Sequence, residues 1–235
     1  AGATIKLALN HWKIAIDTHN TNHPDADHDC TDISNVHPLR YGATDILIAS
    51  PECTNHTNAK GQAAVRAQLD LFNKGIVDPG AERSRATMWD VPRFAEYHNY
   101  KAIVVENVAE VTKWTMFQAW LMAMSALGYS HKILSLNSQF FGTCPQSRDR
   151  VYIVFWKSKI KTPFLDFRPS ADCPKCGNTE AVQTFITGRK VGKYKQQYHY
   201  HCSKCGDKVT PFYTPASAII DWSDIGKRIG DRKKP

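Results

Sequence analysis

Two five-residue segments of this 235-residue chain repeat one pattern, CPKCG at 173–177 and CSKCG at 202–206, with 25 residues between the pairs. Two thiolates two residues apart can grip one metal ion from a tight turn, and a glycine after the pair lets the backbone fold around the sulfurs. Cys173, Cys176, Cys202 and Cys205 therefore predict a closed tetrahedral site suited to structural Zn2+. Two disulfides would need an oxidising compartment and would not explain the matched turns. His199 and His201 flank the second turn and could replace one sulfur. Three further groups lie near the ends of apolar runs. Pro51 and Cys53 follow TDILIA, Glu106 ends VVE, and Gln146, Arg148 and Arg150 precede VYIV. A glutamate closing an apolar strand needs a partner or a task, because burying its charge is costly. Taken singly, each group also has a plain reading: a cysteine used as core filler, a strand-end charge, a solvated arginine pair.

The first 156 residues alternate short runs rich in Ile, Val and Leu with longer helical stretches. Strands are predicted at Thr4–Leu9, Thr44–Ala49, Lys101–Glu106, Lys132–Leu136 and Val151–Phe155. Helices are predicted at Trp12–Asn22, Gly61–Lys74, Glu82–His98 and Ala109–Leu127, the last with one apolar face from Val111 to Leu127 and Gly128 as its stop. This order indicates an α/β fold with a largely parallel sheet, in which ligands sit at the carboxyl ends of strands. After Lys157 prolines, cysteines and aromatics dominate. The expected division is a body over 1–157 and a small β-rich module over 158–235, too short to hold a core without a metal.

Charge follows the same division. Residues 1–150 hold 14 Lys and Arg against 15 Asp and Glu, whereas 151–235 hold 16 against 7, so the whole excess of +8 sits in the last third. A basic lobe on a neutral body suits a polyanion, and Lys175, Arg189, Lys190, Lys193, Lys195 and Lys204 suit phosphate contact. A solvated lysine-rich surface is the alternative. No apolar run is long enough to span a membrane. Seven cysteines without a signal peptide point to a reducing compartment.

In this order and context, Pro51 and Cys53, then Glu106-Asn107-Val108, then Gln146, Arg148 and Arg150 resemble the motifs of the DNA (cytosine-5) methyltransferases. Arg85 in RATMWDV resembles the arginine-bearing helix between the cysteine and glutamate motifs. ALNHWKIAIDTHNTNHPDA (8–26) and Cys30-Thr31-Asp32-Ile33 resemble the second and third cofactor segments. The resemblance runs from residue 4 to about 157. It implies a Rossmann-like S-adenosylmethionine-dependent methyltransferase sheet, with the zinc-ribbon-like module where the family inserts its target-recognition region. It implies that Cys53 adds to carbon 6 of cytosine, that Glu106 protonates or hydrogen-bonds ring N3, and that Arg148 and Arg150 hold a flipped base and its phosphate. Asn10, His11, Trp12, Asp32, Ile33 and Pro51 would line the cofactor, and Asn107, Val108, Gln146 and Arg85 the substrate. The implied partner is double-stranded DNA, bound by a monomer in the cytoplasm of a bacterial or phage-infected cell, in the manner of a restriction–modification enzyme.

The sequence departs from the family in three places. Ser50-Pro51-Glu52-Cys53-Thr54 stands for Pro-Pro-Cys-Gln, Asn10 stands where an acidic residue is usual, and no Gly-x-Gly turn occurs. The expectation is a piece of a longer enzyme, trimmed at both ends. A non-catalytic DNA-binding protein with the same fold, or an enzyme acting on RNA, would be the other readings.

Overall fold

The computed structural model describes residues 2–52, 79–142, 144–186, 188–224 and 226. Cys53 and the helix predicted over 61–74 lie outside them. The chain forms two compact units: Ala1–Ser135 with Arg150–Leu165, and Leu136–Asp149 with Asp166–Pro235.

In the first unit, β1 (Leu7–Asn10), α1 (Lys13–Asn22) and β2 (Asp27–Cys30) form a β-α-β unit whose strands pair in parallel, Leu7 opposite Asp27 and Asn10 opposite Cys30. β2 escaped the sequence reading because DHDC contains no apolar run. Its order comes from pairing with β1 and from Asp29, which accepts from Tyr41 Oη at 2.9 Å and meets Arg40 at 3.1 Å. A second sheet has the order β3 (Ile46–Ala49), β4 (Ala102–Asn107), β6 (Asp149–Lys157), β5 (Tyr129–Asn137). β3 and β4 are parallel, with α2 (Pro79–His98) between them in sequence. β6 runs antiparallel to β4, so the largely parallel sheet expected from the element order is mixed. The reason is local. β5 and β6 are joined by 138–148, whose described residues hold one 3-10 turn, Ser138–Phe140, and no crossover helix to bring the chain back in parallel.

Burial alternates along β4 as a strand requires, with Ile103, Val105 and Asn107 buried on one face. Opposite them on β6 stand Phe155, Ile153 and Val151, each fully buried. α3 (Phe117–Ala126) covers this face through Trp120, whose ring meets Phe155 edge-on at 5.3 Å. The Trp120 indole N–H donates to the Met88 carbonyl of α2 at 2.7 Å, which locks the two helices together. Trp120→Phe removes that donor and part of the packing. It should cost about 2 kcal/mol in urea unfolding.

The single helix predicted over 109–127 is two pieces, a 3-10 turn at Ala109–Lys113 and then α3. Trp114 is extended between them, among the β-branched residues Val111, Thr112 and Thr115. One apolar period spans both because Val111 and Phe117 are buried alike. Gly128, at φ 81°, ends α3 as expected.

In the second unit, β7 (Ser170–Cys173), β8 (Gly177–Phe185), β9 (Tyr198–Cys202) and β10 (Lys208–Val209) form an antiparallel ribbon in the order β10-β9-β8-β7. Its core is Phe140, Ala171, Cys173, Ala181, Tyr198, Tyr200, Cys202 and Val209. Phe140 belongs to the segment 136–149, which thus packs with the ribbon although it lies between β5 and β6 in sequence. Among the described residues no helix is long and apolar enough to cross a membrane.

Candidate active site and metal cluster

Asn10 closes β1 and Asp32 follows β2 by two residues, so the two cofactor candidates stand at neighbouring carboxyl ends of a parallel pair. The Asn10 side chain accepts from the Trp12 backbone N–H at 2.8 Å and turns the chain past His11 into α1. Trp12 is exposed at 58%. It lines an open groove of about 730 Å³ along α1 together with Ala15, His19 and His23. The Asp32 carboxylate accepts from Ser34 N–H at 3.1 Å and from Asn35 Nδ2 at 3.3 Å. α2 clamps this turn. Arg93 donates to the carbonyls of Ile33 and Val36, while the buried Asp90 binds Arg93 and accepts from Ser34 Oγ at 2.5 Å. Asp90 and Arg93 were not singled out in the sequence. The signal was there, an acidic and a basic residue three apart on a helix.

Five of the implied residues, Pro51, Glu106, Asn107, Val108 and Arg150, gather at the end of β4. Glu106 lies on the half-buried face, and its Oε1 meets Arg150 Nε of β6 at 2.8 Å. Their side chains are 27% and 20% exposed, so solvent screens this pair only in part. Asn107 points to the opposite, buried face. Its Nδ2 donates to the Pro51 carbonyl at 3.2 Å, tying the loop that leaves β3 to the strand carrying Glu106. Its Oδ1 accepts from Val108 N–H at 2.8 Å. Glu52 is exposed, and its backbone N–H donates to Thr87 Oγ1 at 3.2 Å. Arg85 is on α2.

Gln146 and Arg148 belong to the second unit. The organiser there is Asn137, fully buried at the end of β5. Its Oδ1 accepts from the backbone N–H of Arg148 at 3.1 Å and of Gln139 at 3.2 Å. Its Nδ2 donates to Ser147 Oγ at 3.0 Å and to Asp149 Oδ1 at 3.2 Å. Asp149 in turn accepts from the Tyr198 hydroxyl at 2.8 Å and from the Tyr194 backbone N–H. Asn137, Asp149 and Tyr198 carried no sequence signal beyond a polar residue ending an apolar strand and an aspartate between two arginines.

The four knuckle cysteines converge as their spacing predicts, with all four sulfurs within 4.8 Å of one another and Cys173 Sγ 3.6 Å from Cys205 Sγ. Gly177 and Gly206, at φ 66° and 78°, supply the left-handed residue after each pair. The Thr179 hydroxyl and backbone N–H groups, with Lys204 N at 3.4 Å, hold the Cys202 thiol down at about 6. Hydrogen bonding to Cys205 and burial push Cys176 up to about 12. A set of four sulfurs, none in a disulfide, fits a soft tetrahedral cation. His199 and His201 are not among the ligand groups. Arg189, Lys190, Lys193, Lys195 and Lys204 are exposed.

The mixed α/β fold resembles the S-adenosylmethionine methyltransferases. The chain belongs to the C-5 cytosine-specific DNA methylase family, whose model matches residues 1–208. No curated protein matches it. A prophage-encoded protein (E. coli, prophage Cp), described as a DNA modification methyltransferase, superposes with a TM-score of 0.54 at 18% identity, over 81% of this chain and 56% of that one. A triple variant of DNMT2 from Spodoptera frugiperda gives 0.52 at 18%, over 70% and 46%. The S. pombe Dnmt2 methyltransferase gives 0.51 at 23%, over 69% and 46%. At these identities the likeness carries the fold. The chain spans about half the length of these structures.

Proposed function

We propose that this chain carries the catalytic and target-reading parts of an enzyme that methylates carbon 5 of cytosine in duplex DNA. The observation that carries this reading is the bond from Asn107 to the Pro51 carbonyl, which fastens the loop leading to Cys53 beside the strand end bearing Glu106. Carbon 5 of cytosine is a poor nucleophile. The Cys53 thiolate forms a bond to carbon 6 while Glu106 delivers a proton or hydrogen bond to N3, and the electron pair released makes carbon 5 nucleophilic. S-adenosylmethionine, held at Asn10, His11, Trp12, Asp32, Ile33 and Pro51, supplies an electrophilic methyl group when bound. Loss of the carbon 5 proton then expels Cys53 and restores the ring. The base must leave the helix stack to be reached. Arg148 and Arg150 hold it and its phosphate, and Arg150 also fixes the Glu106 carboxylate. Gln146, Val108 and Arg85 complete the substrate side.

The division proposed is a catalytic core over 1–157, whose segment 136–149 packs with the ribbon, and a zinc-binding recognition module over 158–235. The exposed Arg189, Lys190, Lys193 and Lys195, all within the 186–197 segment between β8 and β9, support phosphate contact by that module. A reducing cytoplasm keeps Cys53 and the four ligands as thiols. The test offers 5-fluorocytosine in duplex DNA and in tRNA, each with S-adenosylmethionine. The fluorine cannot leave as a proton does, so an adduct accumulates. Capture of duplex DNA is expected. Capture of tRNA alone would move the substrate to RNA, and DNA binding with no cofactor binding by calorimetry would leave a non-catalytic DNA-binding protein.

A further inference from the structure

We infer that the four-cysteine ribbon also positions the segment at 146–149, so that the metal site sets the geometry of Arg148 through Asp149. The inference rests on the reading of Arg148 as one of the groups that hold the target base.

One strand links the two ends. β9 has five residues, with the ligand Cys202 at its carboxyl end and Tyr198 at its amino end. At about 3.3 Å per residue the two are roughly 13 Å apart. Tyr198 is fully buried, in ring contact with Phe185, Tyr194 and Tyr200, so its hydroxyl has little freedom to wander. That hydroxyl donates to Asp149 at 2.8 Å, and the backbone N–H of Tyr194 donates to the same carboxylate at 3.2 Å. Asp149 lies between Arg148 and Arg150 in the chain and accepts from Asn137 Nδ2, while Asn137 Oδ1 holds the Arg148 N–H. Phe140, nine residues before Asp149, packs edge-on against Tyr194 and Tyr200. The arginine segment is thus attached to the ribbon by charge-assisted hydrogen bonds at one point and by aromatic packing at another. A ribbon required only for contact with DNA has no need of either attachment.

Tyr198→Phe in the zinc-loaded chain tests this, because it deletes one hydroxyl and keeps the ring. Zinc content should stay at one per chain. Amide hydrogen exchange over 136–149 should rise about tenfold or more, the loss expected for one hydrogen bond to a charged group, while 170–185 stays protected. Capture of 5-fluorocytosine duplex DNA should slow about tenfold, with duplex affinity changed less than twofold. Asp149→Asn, which weakens the same contact from the other side, should do likewise and serves if Tyr198→Phe does not retain zinc. Unchanged exchange over 136–149 with zinc retained overturns the inference, as does faster exchange with an unaltered capture rate. If the unmodified chain captures no DNA at all, the catalytic reading fails. Exchange over 136–149 then decides the coupling alone.

Discussion

Cys53→Ala should abolish covalent capture of 5-fluorocytosine duplex DNA outright, whereas Glu106→Gln should slow capture by about 10²–10⁴-fold and still let the adduct form. The two substitutions differ because one removes the atom that bonds to carbon 6 and the other removes only a proton source. Single-turnover capture with excess enzyme separates this from weaker binding. Affinity for the duplex should hardly change in either variant, since neither residue belongs to the basic segment. Arg150→Met is the informative third variant. It leaves the Glu106 carboxylate, 27% exposed, without the cation 2.8 Å away. Paired with Glu106→Gln it should give a loss smaller than the product of the two, as expected for residues acting through one contact. Full multiplicativity would show that the pair does not act as a unit. An adduct surviving Cys53→Ala would remove the cysteine from the chemistry.

The second large effect concerns the metal. Stripping zinc with a chelator, or Cys202→Ser, should unfold the ribbon and abolish duplex binding while the first unit keeps its helical signal. Structural zinc contributes about 10–16 kcal/mol of folding free energy in small domains at pH 7. Among the described residues the ribbon's buried apolar cluster amounts to eight residues, two of them ligands, which is little to hold four strands together. The pH dependence has a definite sign. Ligand sulfurs must be deprotonated, so affinity falls as pH falls. Cys202, held down by the Thr179 hydroxyl and backbone N–H groups, loses its proton more readily than Cys176, which hydrogen bonding to Cys205 and burial push up, so an entering ion displaces the Cys176 proton. Zinc uptake at pH 7 should therefore release protons, read by calorimetry in buffers of different ionisation enthalpy. Retention of the ribbon's exchange protection in chelator would sink this account.

The sequence was most informative where one physical cause acts alone. β4 and β6 are buried enough that their apolar runs outweigh every other signal, and the knuckles combine ligand spacing with the glycine their backbone requires. It was least informative where tertiary contact does the work. β2 exists because β1 offers it a pairing edge, and nothing in Asp27–Cys30 announces that. The break at Trp114 is invisible to an apolar period that both flanking pieces satisfy. Polar residues that arrange the candidate site from behind were hardest of all. Asn137 and Asp149 act through partners such as Ser147 and Tyr198, 10 and 49 positions away, and linear spacing carries no trace of such pairs.

The segment 136–149 leaves the first unit, joins the ribbon and returns as β6, so the ribbon is not a C-terminal appendage. Cutting the gene after Lys157 would strand Phe140 without the aromatic rings that cover it and leave Asp149 without Tyr198. Exchange of recognition modules between relatives would have to carry two stretches of chain together, and a graft made at a single junction would yield insoluble protein.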